Sequence, residues 1–227
     1  FLLSNLYDFD HQQEVSLDSR VEIDIWILKE AEKLQNEIIE DYSNYEFHLV
    51  YQKVLNFCTN ELGSFYLDIL KDRLYTSKKS GFARISAQKT IKSLLDKLLL
   101  WIAPILSFTA EEAFREFYKD KKSIFLESFS SASEDISLTL DADSWKVLNE
   151  IKIEANKLLE EKRNDGIIGS SLDAEVKIFC NSETFLRLSP CIDELKFLLI
   201  VSDASLEVAD DDGQSSISIE VKPSDKE

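Results

Sequence analysis

The chain has 227 residues, 44% of them hydrophobic, enough for one large domain or two small ones, with no run of about 18 apolar residues and so no helical membrane span or signal peptide. Three cysteines, Cys58, Cys180 and Cys191, without Cys-x-x-Cys spacing exclude a disulfide framework and a zinc ribbon and suit a reducing cytoplasm. The net charge of −17 argues against a general nucleic-acid binder, because phosphate demands cations, unless the positive charge is gathered in one place.

The spacing of Ile27, Leu28, Ala31, Leu34, Ile38 and Tyr42 predicts a first helix over residues 19–42. A tight connection from Asp41 to Asn44 makes the next helix its antiparallel neighbour. That helix is expected to open at Ser43-Asn44-Tyr45-Glu46 with a reciprocal capping box between Ser43 and Glu46. Phe47, Val50, Tyr51, Val54, Leu55, Cys58, Leu62, Phe65, Tyr66 and Ile69 then recur at three- and four-residue steps, the pattern of one buried face, with Cys58 in the core beside Val54, Leu62 and Phe65. It ends in a switch from apolar to basic at Lys71-Asp72-Arg73-Leu74-Tyr75. A polar loop with Ser77, Ser80 and Gly81 follows, and residues 84–102 form a third helix stopped by Pro104. Thr109 and Glu112 read as a second capping box, opening a short helix through Ala113, Phe114 and Phe117.

Residues 119–143 lack helical periodicity and carry Ser128, Ser130, Ser131 and Ser133, which marks a domain boundary; Ile124-Phe125-Leu126 reads as a short strand. Asp143 is the expected N-cap of a helix carrying Trp145, Leu148, Ile151, Ala155, Leu158 and Leu159. After a loop at residues 166–172, Ala174 to Cys180 alternates as a strand, and Phe197–Val201, Leu206–Val208 and Ile217–Val221 read as further strands. Asp210-Asp211-Asp212-Gly213 lacks calcium-ligand spacing and reads as a hairpin turn. The expected fold class is α+β: a mainly helical bundle over residues 1–130 and a small α+β unit over residues 131–227.

Charge is distributed unevenly, with a net of −12 over residues 131–227 and −5 over residues 1–130. From Lys71 to Lys97 the sign reverses: eight Lys and Arg face only Asp72 and Asp96, a net of +6. This cluster is the candidate electrostatic footprint of an anionic partner. On composition alone it also reads as a solvated basic loop, since charge runs usually face water, and Arg73 as a structural partner of Asp68 or Asp72. His11 and His48 have no ligand-spaced neighbours, so no metal site is expected; Gly166 and Gly169 do not form a phosphate loop. No Ser-His-Asp, Cys-His or metal-carboxylate constellation is present, so no catalytic residue is expected.

Several words in this chain resemble one family. Asn44-Tyr45-Glu46-Phe47-His48 with Val50-Tyr51-Gln52, Asn56-Phe57-Cys58, Tyr66-Leu67-Asp68, Lys71-Asp72-Arg73-Leu74-Tyr75 and Ala103-Pro104-Ile105-Leu106-Ser107-Phe108-Thr109-Ala110-Glu111-Glu112 resemble, in order and spacing, the anticodon-binding helical domain of bacterial-type isoleucyl-tRNA synthetases. Ile168-Gly169-Ser170-Ser171-Leu172-Asp173-Ala174 extends the resemblance to about residue 180. Valyl-tRNA synthetase and its relatives share the Ala-Pro turn and form the alternative within the class; a helical protein-interaction module is the alternative outside it. The resemblance implies a fragment of an enzyme that joins isoleucine to its tRNA with ATP and magnesium. The fragment itself needs no cofactor, binds tRNA, and has the catalytic domain of the same polypeptide as its other partner, with no membrane. It implies that Lys71, Arg73, Lys78, Lys79, Arg84 and Lys89 reach phosphates of the anticodon stem while Tyr75 or Phe82 stacks on an unpaired base. The ATP-binding words of the class, His-Ile-Gly-His and Lys-Met-Ser-Lys-Ser, are absent, as are the zinc-ligand cysteines that the family often carries at its C-terminus.

Overall fold

Apolar residues at helical spacing build the first part of the chain. α1 (Glu22–Ser43) buries Ile23, Ile27, Leu28, Ala31 and Ile38 along one side. α2 (Phe47–Phe57), α3 (Leu67–Thr76), α4 (Phe82–Ile102) and α5 (Ser107–Phe117) follow. The computed structural model describes residues 1–10, 20–129, 140–209 and 217–224. The chain divides into two compact units, Phe1–Ser137 and Leu138–Glu227.

Both expected capping boxes are absent. Ser43 stays in the last turn of α1, where its hydroxyl donates to the Ile39 carbonyl at 2.7 Å, and Glu46 occupies the N-cap of α2 without a side-chain cap. The chain instead reverses through Tyr45, at a left-handed φ of 61°, so that the Glu46 amide reaches the Asp41 carbonyl at 2.8 Å. Thr109 lies inside α5, which starts at Ser107; the Ser107 hydroxyl donates backward to the Ala103 carbonyl at 2.9 Å. In each case a hydroxyl within the helix bonds a carbonyl four residues back instead of capping an amide.

Between α2 and α3 the helix widens into a nine-residue π-helical segment, Cys58–Tyr66. A π turn holds one residue more than an α turn, so it rotates everything beyond it about the helix axis. The buried set runs Val50, Phe57, Leu62, Tyr66, Ile69, Leu70 and Leu74, with a five-residue step where the segment widens. The single face expected from the spacing therefore does not persist: Phe47, Tyr51 and Leu55 are exposed, and Cys58, Val54 and Phe65 are half-buried.

α1 and α4 run parallel, tied at three heights. The Ser86 hydroxyl donates to Asp24 at 2.5 Å, the Lys97 ammonium to the Gln35 side chain at 3.3 Å, and the Tyr42 hydroxyl to the Trp101 carbonyl at 2.6 Å. Asp24, fully buried, also accepts from Tyr66 at 2.7 Å and from both outer nitrogens of Arg73 at 2.9 and 2.7 Å. One carboxylate thus joins α1, the π segment, α3 and α4. One end of the bundle holds the start of α1, the end of α3 and the start of α4. The other holds the end of α1, the start of α2, the end of α4 and the start of α5.

Residues 124–126, expected as a strand, form a single 3₁₀ turn. Glu111 of α5 fixes it, accepting from the Ser123 hydroxyl at 2.9 Å and the Ile124 amide at 3.0 Å.

In the second unit, α6 (Ala142–Asn164) is capped by Asp141, not Asp143, its carboxylate accepting from the Ser144 amide at 2.7 Å. β1 (Ala174–Cys180) is the central strand; α7 (Ser182–Leu188) and α8 (Leu195–Leu199) lead to β2 (Asp203–Val208), and β3 (Ser218–Pro223) ends the unit. The order is β2-β1-β3, with Ile178 opposite Leu206 in the parallel pair and opposite Ile219 in the antiparallel pair. Ala174, Val176, Ile178 and Cys180 turn inward, and α6 packs against β3 and α8. Phe197–Val201, expected as a strand, is the end of α8 and its left-handed stop at Ile200, φ 57°. This stretch belongs to the helical crossover that a parallel pair requires. β2 and β3 lie on opposite edges of β1; Asp210–Gly213, expected as a hairpin turn, lies outside the described residues.

Candidate nucleic-acid interface

The basic cluster is built where α3 ends and α4 begins. Ser77 leaves α3 in an extended conformation, and the Gly81 amide returns to the Lys78 carbonyl at 2.8 Å. A Cβ on Gly81 would sit 2.9 Å from that carbonyl oxygen, so this tight turn requires glycine. The turn presents Lys78 and Lys79 at its tip. α4 then starts without an acidic residue of its own in its first turn.

The seven residues singled out from the sequence divide into two groups. Arg73 is 4% exposed; besides Asp24 it bonds the Ala83 carbonyl at 2.8 Å. The carboxylate that holds it is Asp24; of the two partners expected from the sequence, Asp68 pairs with Lys71 at 2.8 Å, and the Asp72 side chain lies outside the described residues. Arg84 is buried as well, donating to the Leu74 carbonyl and to Asp8 at 3.1 and 3.2 Å. Both guanidinium groups are committed inside the fold. Lys71, Tyr75, Lys78 and Lys79 are exposed, Lys79 with 77% of its side chain in solvent. Lys89 is half-buried, its ammonium 5.1 Å from the centre of the Phe9 ring.

The N-terminal residues complete this end of the bundle, and sequence reasoning missed them. Asp8 accepts from Gln88 at 2.8 Å and from Arg84, with Lys79 at 3.7 Å. Burial pushes the Asp8 carboxyl up, but Gln88 and Arg84 together outweigh it and hold the group below the usual carboxylate range. Tyr7 is exposed under Lys79, 6.0 Å from its ammonium. Phe82, at the first position of α4, is exposed too. One end of the bundle therefore combines exposed ammonium groups with exposed rings, the two elements of single-stranded RNA recognition: cations for phosphate and flat faces for bases. The local signal for the Arg73 role was its spacing, since Tyr66, Ile69, Leu70 and Arg73 share one helical side. No local signal marked Asp24 as the partner of Arg73, or Asp8 as that of Arg84.

Among the described residues, no three His, Cys, Asp or Glu side chains are grouped to hold a metal ion, and no helix is long and apolar enough to cross a membrane.

The helical bundle agrees with what comparison with known proteins shows. The family model for the anticodon-binding domain of tRNA ligase matches residues 24–178, and the chain belongs to that family. The chain is 44% identical over 209 residues to the isoleucine-tRNA ligase of Coxiella burnetii (strain CbuG_Q212), covering 91% of this chain and 22% of that protein. It is 42% identical over 215 residues to the isoleucine-tRNA ligase of Idiomarina loihiensis, covering 93% and 23%, and 42% identical over 206 residues to that of Legionella pneumophila (strain Corby), covering 90% and 22%. The chain thus spans about a fifth of the length of these relatives.

Proposed function

We propose that this chain is the anticodon-side tRNA-binding portion of a cytoplasmic isoleucine-tRNA ligase. The whole ligase attaches isoleucine to its tRNA with ATP and magnesium, and this portion holds the anticodon end so that the distant acceptor end reaches a catalytic domain elsewhere in the same polypeptide. Its own work is binding and selection, not bond-making. The observation that carries the reading is the end formed by Lys71, Lys78 and Lys79 with Tyr7, Tyr75 and Phe82: exposed positive charge and exposed rings together in a chain of net charge −17. Lys89, over Phe9, lies at its margin. Arg73 and Arg84 serve this site as positioning residues, holding the α3–α4 turn in place.

The test is tRNA binding measured across salt concentrations. Replacing Lys78 and Lys79 by Glu weakens cognate and non-cognate tRNA alike, since phosphate contacts carry no base information. Each lost contact flattens the slope of log affinity against log salt by about 0.7 to 0.9. Tyr75→Ala acts differently, costing roughly 1–3 kcal/mol of stacking, mainly with isoleucine tRNA. Unchanged affinity and slope in the double variant would remove the turn from the interface. A flat salt response in the unaltered protein would favour a protein partner instead.

A further inference from the structure

The opposite end of the bundle is apolar where the first is basic. Tyr42, bonded to the Trp101 carbonyl, sets the end of α1 beside the end of α4. Here Tyr45 stands 81% exposed on a left-handed backbone, a conformation that a residue other than glycine, asparagine or aspartate holds only where its surroundings compel it. Phe47 meets its ring edge-on with centroids 6.3 Å apart, and Tyr51 follows one turn along α2, both exposed. Just past Pro104, Leu106 is exposed and Phe108 is 91% exposed. A soluble protein rarely gathers this much outward aromatic surface without a partner for it.

Charge identifies the class of partner. Residues 40–52 and 101–114 contain no Lys or Arg, and they contain Glu40, Asp41, Glu46, Glu111 and Glu112. Lys53, the next cation along α2, is held by Asp41 at 2.8 Å and Glu37 at 3.3 Å. A polyphosphate would be repelled here. An apolar protein surface fits, and the length of the relatives leaves room for one: this chain spans only about a fifth of it, so most of such a polypeptide has to be joined to the bundle somewhere. We infer that Tyr45, Phe47, Tyr51, Leu106 and Phe108 form the surface on which the bundle docks against the portion of the longer ligase that lies outside this chain. The inference rests on the reading proposed above. It gives the bundle two poles, separated by the 22 residues of α1, about 33 Å at 1.5 Å per residue, with tRNA held at one and the rest of the enzyme at the other.

Photo-crosslinking in the full-length ligase tests it. p-Benzoylphenylalanine replaces Tyr45 in one protein, Phe108 in a second and, as a solvated control, Tyr75 in a third; cross-linked peptides are identified by mass spectrometry with and without tRNA. The expected result is adducts from Tyr45 and Phe108 to peptides outside the 227 residues, in several-fold higher yield than from Tyr75 to protein and insensitive to tRNA. Adducts to tRNA, to a second copy of the chain or to residues 138–227, or yields no higher than at Tyr75, would overturn it. tRNA binding by the unsubstituted protein is measured in the same preparations. Failure there refutes the tRNA-binding reading on its own readout, while the positions of the adducts decide the docking surface.

Discussion

Asp24 and Arg73 show how packing can take a charge that the sequence appears to offer to a ligand. The pair is fully enclosed, with Tyr66 and Ser86 filling the remaining acceptor positions of the carboxylate. Burial, with the Asp24 charge beside it, pushes the Tyr66 hydroxyl well above its ordinary range, so it stays a donor. Removing the guanidinium takes two charge-assisted bonds from the buried Asp24 carboxylate, and Arg73→Ala is expected to cost roughly 3–5 kcal/mol. Lys71→Ala, which removes an exposed pair, should change stability by at most about 0.5 kcal/mol. Urea titration of both variants decides the contrast; a loss below about 1 kcal/mol for Arg73→Ala would show that the pair is dispensable. A second residue-scale prediction concerns Asp141. Hydrogen bonding to Ser144 first, and Arg187 after it, brings its carboxyl down from 3.8 to about 2. The folded state therefore favours the ionised cap, and its contribution is complete above about pH 4 and lost as pH falls through about 2. Asn also caps helices but does not titrate. Asp141→Asn should flatten the dependence of stability on pH over this window, and parallel thermal-stability curves for the two proteins would count against the cap.

Among the elements, the π segment separates what was legible from what was not. Three- and four-residue spacing correctly indicates helix from Phe47 to Thr76, but it cannot reveal one extra residue in a turn. The spacing face was therefore extended through Tyr51, Leu55 and Cys58, whereas the structure buries Phe57 and then Leu62. Gly63 is the position that makes this testable. A Cβ there would lie 2.6 Å from the Cys58 carbonyl oxygen, a backbone atom with no room to yield. In an ordinary helix interior Gly→Ala stabilises by about 1 kcal/mol. Gly63→Ala is expected instead to destabilise and to speed amide exchange across Cys58–Tyr66, measured by hydrogen–deuterium exchange. A gain in stability with slower exchange would mean that the segment closes into regular α-helix. The alternating strand Ala174–Cys180 was legible because one of its faces is buried and the other is not. Leu195, Leu198 and Leu199 are buried while Phe197 is exposed, but α8 is only five residues long, and periodicity does not distinguish helix from strand in so short an apolar run. The Asp24 and Asp8 contacts, 49 and 76 residues from the arginines they hold, depend on tertiary packing and leave no local pattern.

At the scale of the whole molecule, two cores of different electrostatic character share one chain. Ile27, Ile38, Leu70, Ile91, Leu94 and Trp101 lie at the centre of the first unit, and Val176, Ile178, Leu188, Leu195 and Leu199 at the centre of the second. Each unit encloses its own buried face, so each should unfold in its own cooperative step, giving two calorimetric transitions. The first unit carries 16 Lys and Arg against 23 Asp and Glu, the second 10 against 20, so 90 residues hold a net of −10 where the larger unit holds −7. Such self-repulsion destabilises a compact state, and added salt relieves it, the screening length shrinking from about 10 Å at 0.1 M to about 3 Å at 1 M. Salt should therefore raise the transition of the second unit more than that of the first. The second is assigned by comparison with a chain ending at Ser137, whose single transition should coincide with one of the two. Unequal sensitivity of this kind would also explain how an acidic chain keeps a basic pole: most of the excess negative charge is carried by the unit without the Lys71–Lys97 cluster. A single transition in the full chain, or equal salt shifts in both, would show that the two units are energetically one body.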